Sequence, residues 1–534
     1  MIGQGLVTRR QLIQAAGAAV VAVGKSARTV PLELEIINEE TSTLLPARVL
    51  IRDGDGLDYV PPATVEVPII KDRWFVAKGK ELLQVPAGAL HIRVERGTEY
   101  VPVKRTLVVS QSAKQCKIHL RRWVDMRKRG YSCGEDHLHV PFHHLGAMLA
   151  AEGLDFGSSL YWWNGPHFDL PPGQGHVRTA QFGDFRMPVS VFDAEVEHAW
   201  GAVYLIGLSQ PLRVRADPTH PNWAYITEAR NDGGLVCYQG GWSPEVLVDA
   251  LLGLVDVINV CNNNFHRYNF QPRSQYSNLL NVEGFPVYRD TPAGMMQMNT
   301  EPYYRLLNCG LRLAAGAGSA TGVKTVPVGY NRTYVQAGPQ PTLPQFLQAW
   351  REGRNFVTNG PMVFLHLEGD HQPGAALQLP AGGHRIHLKA RAISEQPLRS
   401  LEILVNGVVV GGAHIAPESR EAEVDFHWEA SESCWIAARA TEEDLFLDDQ
   451  ELSRYHSEIR DGSRTLQEEP CRLRFAHTSP IYVEAGGKPI RVGASLREAR
   501  KMLDAFGGFA QREAKGKYGE EILDRLTEAR RRLE

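Results

Sequence analysis

Along residues 31–124, apolar and charged positions alternate with a period of two. Leu32, Leu34 and Ile36 are separated by glutamates, and Ile92 and Val94 are separated by Arg93. That period puts every second side chain on one face, which predicts half-buried strands. Turn clusters such as Asp53-Gly54-Asp55-Gly56 and Pro86-Ala87-Gly88 punctuate the runs at short spacing. The segment reads as a small β-sandwich. Asp53 and Asp55 resemble the start of a calcium loop, but the remaining acidic positions of such a loop are absent, and a plain turn is the stronger reading.

From residue 125 the pattern changes. Ser243-Pro244-Glu245 supplies an N-cap, a proline for the first helical turn and an acidic first turn, and Gly253 closes that helix. The apolar run Val255-Asp256-Val257-Ile258-Asn259-Val260 follows as a buried strand. Thr300-Glu301-Pro302 predicts the start of a second helix that stops at Gly310. Residues 342–353 predict a third, leading into Asn355-Phe356-Val357-Thr358. Further strands are expected at 189–192, 203–208 and 234–238. Repeated βα units of this length predict a barrel or a strongly curved parallel sheet over 125–361, with its chemistry at the carboxyl ends of strands.

Alternation returns over 362–490, with Ile386, Leu388 and Ala390 in one run and Val424, Phe426 and Trp428 in another. Between them Asn406-Gly407 is the favoured two-residue hairpin turn. Residues 491–534 predict a helical tail. Ser495-Leu496-Arg497-Glu498 reads as a capping box, Leu496, Ala499, Leu503 and Phe506 form one apolar face, and Gly507-Gly508 should break it. Tyr518, Ile522, Leu526 and Leu533 form the next face. The fold class is multidomain α/β plus β: a distorted βα barrel flanked by two β-sandwich-like domains, with a helical C-terminal tail.

Composition narrows the partners. The 534 residues are 43% hydrophobic and 22% charged with a net charge of −3, as in soluble globular chains of several domains. Such a balance argues against nucleic acid or an anionic membrane surface. No apolar run approaches about eighteen residues, so no membrane span is expected. Seven scattered cysteines with no Cys-x-x-Cys pair do not make a disulfide framework. Over residues 1–30, Thr8-Arg9-Arg10-Gln11-Leu12 precedes a short run of Ala, Gly and Val. That resembles a twin-arginine export signal and implies a periplasmic or extracellular location, with a short amphipathic helix as the alternative.

The candidate chemistry begins at Gly134-Glu135-Asp136-His137-Leu138-His139. On an extended strand His137 and His139 share a face, and two neutral imidazoles at a strand end suit zinc, manganese or iron. Glu135 and Asp136 stand where carboxylates could orient the rings. Asp193-Ala194-Glu195-Val196-Glu197-His198 follows an expected strand. Glu195 and Glu197 would point together there and His198 opposite, unless the chain turns. Asn262-Asn263-Asn264-Phe265-His266 also ends a strand, and His266 is a further candidate ligand. Trp162-Trp163-Asn164 could line a pocket mouth or pack in the core. Tyr330 and Arg332, in Gly329-Tyr330-Asn331-Arg332, offer donors for a developing oxyanion. Solvated loops and structural pairs remain alternatives for each of the later groups.

In order and spacing, Gly134-x-x-His137-x-His139, Ala151-Glu152-Gly153-Leu154, Gly233-Gly234-Leu235-Val236 and Gly318-Ser319 resemble the PHP (polymerase and histidinol phosphatase) superfamily. Gly329-Tyr330-Asn331-Arg332 and Gly353-Arg354-x-Phe356-x-Thr358-Asn359-Gly360-Pro361 resemble its carbaryl-hydrolase (CehA/McbA-type) branch. The resemblance implies a PHP-type βα barrel and a metal centre that activates water against an ester, carbamate, amide or phosphoester. It also implies His137 and His139 as ligands and Glu195 as a bridging glutamate. Three usual ligand motifs are altered, to Tyr161-Trp162-Trp163-Asn164, Tyr238-Gln239-Gly240-Gly241 and Gly318-Ser319-Ala320-Thr321-Gly322. The remaining donors, His137, His139, Glu195, His198 and His266, suit one divalent metal per chain, zinc or manganese. Two functions follow as expectations: an exported metal-dependent hydrolase of a small molecule, or a non-catalytic ligand- or carbohydrate-binding protein on a degenerate barrel.

Overall fold

The computed structural model describes residues 29–62, 64–69, 72–110, 114–265, 274–289, 291–324, 326–338, 340–442 and 473–534. The export signal expected over residues 1–30 falls almost wholly outside them, as does His266.

The alternating N-terminal segment forms two sheets. One holds Thr29–Asn38 between Lys80–Pro86 and Lys114–Leu120; the other runs Val65–Ile69, Asp72–Ala77, Ala47–Asp53, Gly88–Glu95 and Val103–Val109. Leu32, Leu34 and Ile36 from the first meet Val49, Phe75 and Ile92 from the second in one buried cluster. Asp53 Oδ1 accepts from its own turn, from Asp55 N at 3.0 Å and Leu57 N at 2.9 Å, so it serves the backbone and not a cation.

The centre of the chain is mixed α/β, and no sheet among the described residues closes into a barrel. Its six-stranded sheet runs Trp162–Trp163, Ala194–His198, Gly201–Ile206, Leu235–Tyr238, Val257–Cys261 and Ala314–Ala317. Gly201–Ile206 is antiparallel to both neighbours, and a tight turn, not a helix, joins it to Ala194–His198. The simple βα repeat fails at that hairpin. A short connection forces antiparallel pairing, whatever the apolar pattern of the strand.

Several element ends also differ from expectation. The helix expected from Thr300 begins a full eight residues earlier, as Pro292–Asn308, where Thr291 accepts a capping bond from Gly294 N and Pro302 lies within. The Ser243-Pro244-Glu245 signal opens Val246–Leu251, but the Glu245 carboxylate caps a different helix, Trp223–Asn231, by accepting from Asn222 N and Trp223 N. Thr342 does form a reciprocal capping box with Gln345 at the start of Leu343–Arg351.

A nine-stranded sheet crosses the expected boundary at Pro361. Its main path is Ser132–Gly134, Arg332–Val335, Asn355–Thr358, Phe475–Thr478, Cys434–Thr441, Ser400–Val405 and Val408–Gly412. Thus the strand leading into the histidine motif pairs with Arg332–Val335 in this sheet and not with the six-stranded one. Asn406 and Gly407 make the expected hairpin turn, both at positive φ, 50° and 86°. Met362–Leu367, His384–Ile393 and Glu421–Ala430 form a separate three-stranded sheet.

The tail forms Gly493–Glu513 and Gly519–Leu533. Gly507-Gly508 does not break the first helix. Burial of Leu503, Phe506, Phe509 and Ala510 on either side offsets the roughly 1 kcal/mol that each glycine costs. Ser495 does not act as a cap either; its hydroxyl oxygen accepts from Asn308 Nδ2 at 3.1 Å, while Glu498 pairs with Arg305. Both helices share a core with the six-stranded sheet, where Trp200 meets Phe509 edge to face at 5.5 Å.

Candidate metal centre

The segment Glu135–Val140 lies extended between the two ends of the six-stranded sheet. On one side His139 N donates to Thr321 O and Ala320 N donates to His137 O, both at 2.8 Å; on the other, Leu160 N donates to Leu138 O at 3.4 Å. Extended backbone sends alternate side chains to opposite sides. Leu138 therefore enters the core, fully buried, and the two imidazoles emerge together on the other side.

Glu195, the second residue of Ala194–His198, meets them. His137 Nε2 and His139 Nε2 are 3.0 Å apart, and Glu195 Oε2 lies 2.9 Å from His139 Nε2 and 3.6 Å from His137 Nε2. Among the described residues this is the group of three His, Cys, Asp or Glu donors able to share an ion, with ligand atoms all within 4.8 Å. All three side chains are buried. Both Nδ1 atoms and Glu195 Oε2 lack a hydrogen-bond partner. With the protons on Nδ1, three lone-pair donors face one point, an arrangement that repels itself unless a cation sits there. The donor set thus fits a divalent metal.

The electrostatics agree. Burial pulls His137 below the usual histidine range, with Glu195 acting against it. Burial also acts to raise Glu195, but the nearby charges of His137 and His139 outweigh it and hold the carboxyl well below its usual range. These two directions conflict, because Glu195 leans on imidazolium charge that burial denies to His137. A cation at the shared point satisfies both, keeping the rings neutral and the carboxylate ionised.

Glu135 and Asp136 do not orient the rings. Glu135 accepts from Ser319 N and Gly329 N, each at 2.5 Å, and Asp136 accepts from Asn259 Nδ2 at 2.9 Å. Burial pushes these carboxyls up, to about 8 and about 7.

A cavity of about 40 Å³ opens from the three donors, room for an ion with a water-sized ligand. Trp163, Gln239 and Ala320, at the three altered motifs, all line it. Trp163 sets its ring 4.6 Å from that of His139 and donates through Nε1 to Glu197 at 3.3 Å. Gln239 Nε2 donates to Asn263 Oδ1 at 2.9 Å, and Lys324 and Tyr276 complete the mouth.

The other expected residues lie elsewhere. His198 leaves the strand on the face opposite Glu195 and Glu197; burial lowers it, with Asp217 as the nearby opposing charge. Strand alternation excludes it from the donor group. Tyr330 and Arg332 line a different cavity, of about 330 Å³, so they are not placed to receive an oxyanion at the metal. Arg332 is spent on carbonyls, its Nε donating to Gly329 O at 2.6 Å and its Nη1 to Glu152 O at 3.3 Å.

His167 was not singled out from sequence, yet its ring lies 5.7 Å from that of His139 and 5.2 Å from that of Trp163. The available signal was the turn pair Gly165-Pro166, which folds the chain back over the end of Trp162–Trp163. No family model matches the chain, and no curated protein matches it.

Proposed function

We propose that this chain is an exported, metal-dependent hydrolase that cleaves a small ester, carbamate, amide or phosphoester. The observation that carries the reading is the convergence of His137 Nε2, His139 Nε2 and Glu195 Oε2 on one buried point at the base of an open cavity. Three protein ligands with one open position is the arrangement of a catalytic site and not of a closed structural one. His137, His139 and Glu195 would hold a zinc or manganese ion, which would supply Lewis acidity to activate water and polarise the scissile carbonyl or phosphoryl group.

The chain's own residues do the rest. Burial lowers His137 below the usual histidine range, and both His137 and His139 present nitrogen donors. Glu195 contributes the single negative charge that a buried dication needs nearby. Trp163 closes the side next to His139 and keeps its indole N–H on Glu197, so Glu197 is held beside the reacting centre as a proton acceptor. Gln239 and Asn263 hold each other and present amides to a substrate at the mouth.

A second reading, a ligand- or carbohydrate-binding protein without turnover, is supported by Trp163, Gln239 and Ala320 standing where the resemblance would place ligands. One experiment separates them. Purified protein is analysed for metal and assayed against nitrophenyl esters and phosphoesters with and without chelator. Turnover abolished by chelator and by His137→Ala supports the hydrolase. Bound metal with no turnover on any ester or phosphoester supports the binding protein.

A further inference from the structure

A cleft of about 560 Å³, sharing no lining residue with the metal cavity, lies where the last turn of the N-terminal segment meets the C-terminal strands. Its walls carry Arg121 and Arg129 on one side and Arg391 and Arg420 on the other. Three carboxylates line it too: Glu421 is paired with Arg391 at 2.9 Å, Asp125 lies 3.6 Å from Lys128, and Glu395 accepts from Gln396 Nε2. Arg121, Arg129 and Arg420 are exposed and have no carboxylate partner among the described residues. Arg129 instead sits over the Phe364 ring at 5.4 Å, which orders the guanidinium without neutralising it. Trp123 lines the same cleft with its indole N–H donated to Thr98 O at 2.7 Å; its ring packs partly against the core and keeps its remaining surface on the cleft.

We propose that this cleft binds a small, multiply charged oxyanion carried on a sugar-sized body. A guanidinium stays charged at any working pH and binds phosphate or carboxylate through two parallel N–H bonds. Three such groups around one cleft call for a ligand with two or more anionic groups. The volume is that of a small-molecule site, and the Trp123 ring suits the face of a sugar. The phosphate and carboxylate sources share this chemistry.

Titration calorimetry of the full chain with fructose 1,6-bisphosphate, trigalacturonate and glucose tests the assignment. The expected result is one site per chain for at least one of the two anions, weakening as salt rises, and no binding of glucose. Which anion binds identifies phosphate or carboxylate as the charged group. Arg121→Ala and Arg420→Ala should each weaken binding roughly tenfold, the value of one charge-assisted pair. Arg121→Lys with Arg420→Lys, which keeps the charge and the surface, should recover part of the loss. Binding unchanged in the alanine variants, or no heat from either anion at millimolar concentration, overturns the proposal. The metal reading does not bear on this outcome, because chelator-treated protein should bind the anion equally well.

Discussion

His137 and His139 point their Nε2 atoms at each other across 3.0 Å, with Glu195 Oε2 2.9 Å from the second. Without an ion this is a costly contact. At most one of the two nitrogens can carry the proton that would make it a hydrogen bond, and both Nδ1 atoms are left without partners.

The first prediction follows from that cost. Bound metal should stabilise the fold by mass action, so chelation should lower Tm and added zinc or manganese should restore it. His137→Ala should lose most of the bound metal and become insensitive to chelator. Metal analysis together with thermal scans checks both. Wild-type protein that takes up neither metal and shows no shift in Tm would count against the site.

Arg332 gives the opposite pattern. It is 1% exposed and its hydrogen bonds go to the carbonyls of Gly329 and Glu152 and to Cys133 Sγ. Arg332→Ala should cost on the order of 3 kcal/mol by leaving buried acceptors unpaired and a void behind. Metal content should stay at the wild-type level. Denaturant unfolding and metal analysis on the same sample separate the two effects, and loss of metal in a folded variant would return Arg332 to the centre.

Periodicity and turn chemistry were legible in the sequence because they are local. The alternation around Leu32 to Ile36, the Asn406-Gly407 turn and the Thr342 box depend on neighbours within a few residues. The His137 and His139 pair was legible for the same reason, since alternation alone put both rings on one side. Partner choice was not legible. Nothing near Ser132 says that its strand pairs with Arg332–Val335, and nothing near Gly507 says that Phe506 and Phe509 are buried deeply enough to carry a helix through two glycines. His198 shows the limit most clearly. One residue of strand register removes it from the donors, because the chain turns only after it, at residues 199–200.

Asp249 predicts a pH dependence remote from the metal. Burial pushes its carboxyl up to about 7, against the hydrogen bond donated by Tyr238 at 2.6 Å. Glu245, one turn earlier, is raised as well, by burial and then by the charge of Asp249. A raised folded value means that the folded state holds its proton more tightly than the unfolded chain does. The resulting stability is complete below the unfolded value of about 4 and is lost as pH rises through about 7. Asp249→Asn cannot ionise, so its Tm relative to wild type should climb between pH 5 and pH 8, by about 2 °C or more. A difference that stays constant over that range would show that Asp249 is already ionised in the folded protein at pH 5.

The last prediction concerns how many ions the centre holds. Two-metal sites clamp both the attacking and the leaving oxygen of a phosphoryl group and need a bridging ligand plus several donors for each ion. Here His137, His139 and Glu195 converge, while His198 faces away and Trp163, Gln239 and Ala320 occupy the cavity wall without offering a metal ligand of the usual kind. Among the described residues these three donors serve one ion with an open position, and no second group of three converges for another. The chain should therefore retain one equivalent of zinc or manganese after exhaustive dialysis and act weakly, if at all, on phosphomonoesters. Trp163→His adds an imidazole to the wall beside His139, where a fourth donor should slow metal loss to chelator and, by filling the open position, lower any esterase activity. Two tightly held equivalents in the wild type would mean that donors outside this group complete a second site. Faster metal loss in Trp163→His would mean that the indole, by excluding water next to His139, does more to keep the ion than an added ligand can.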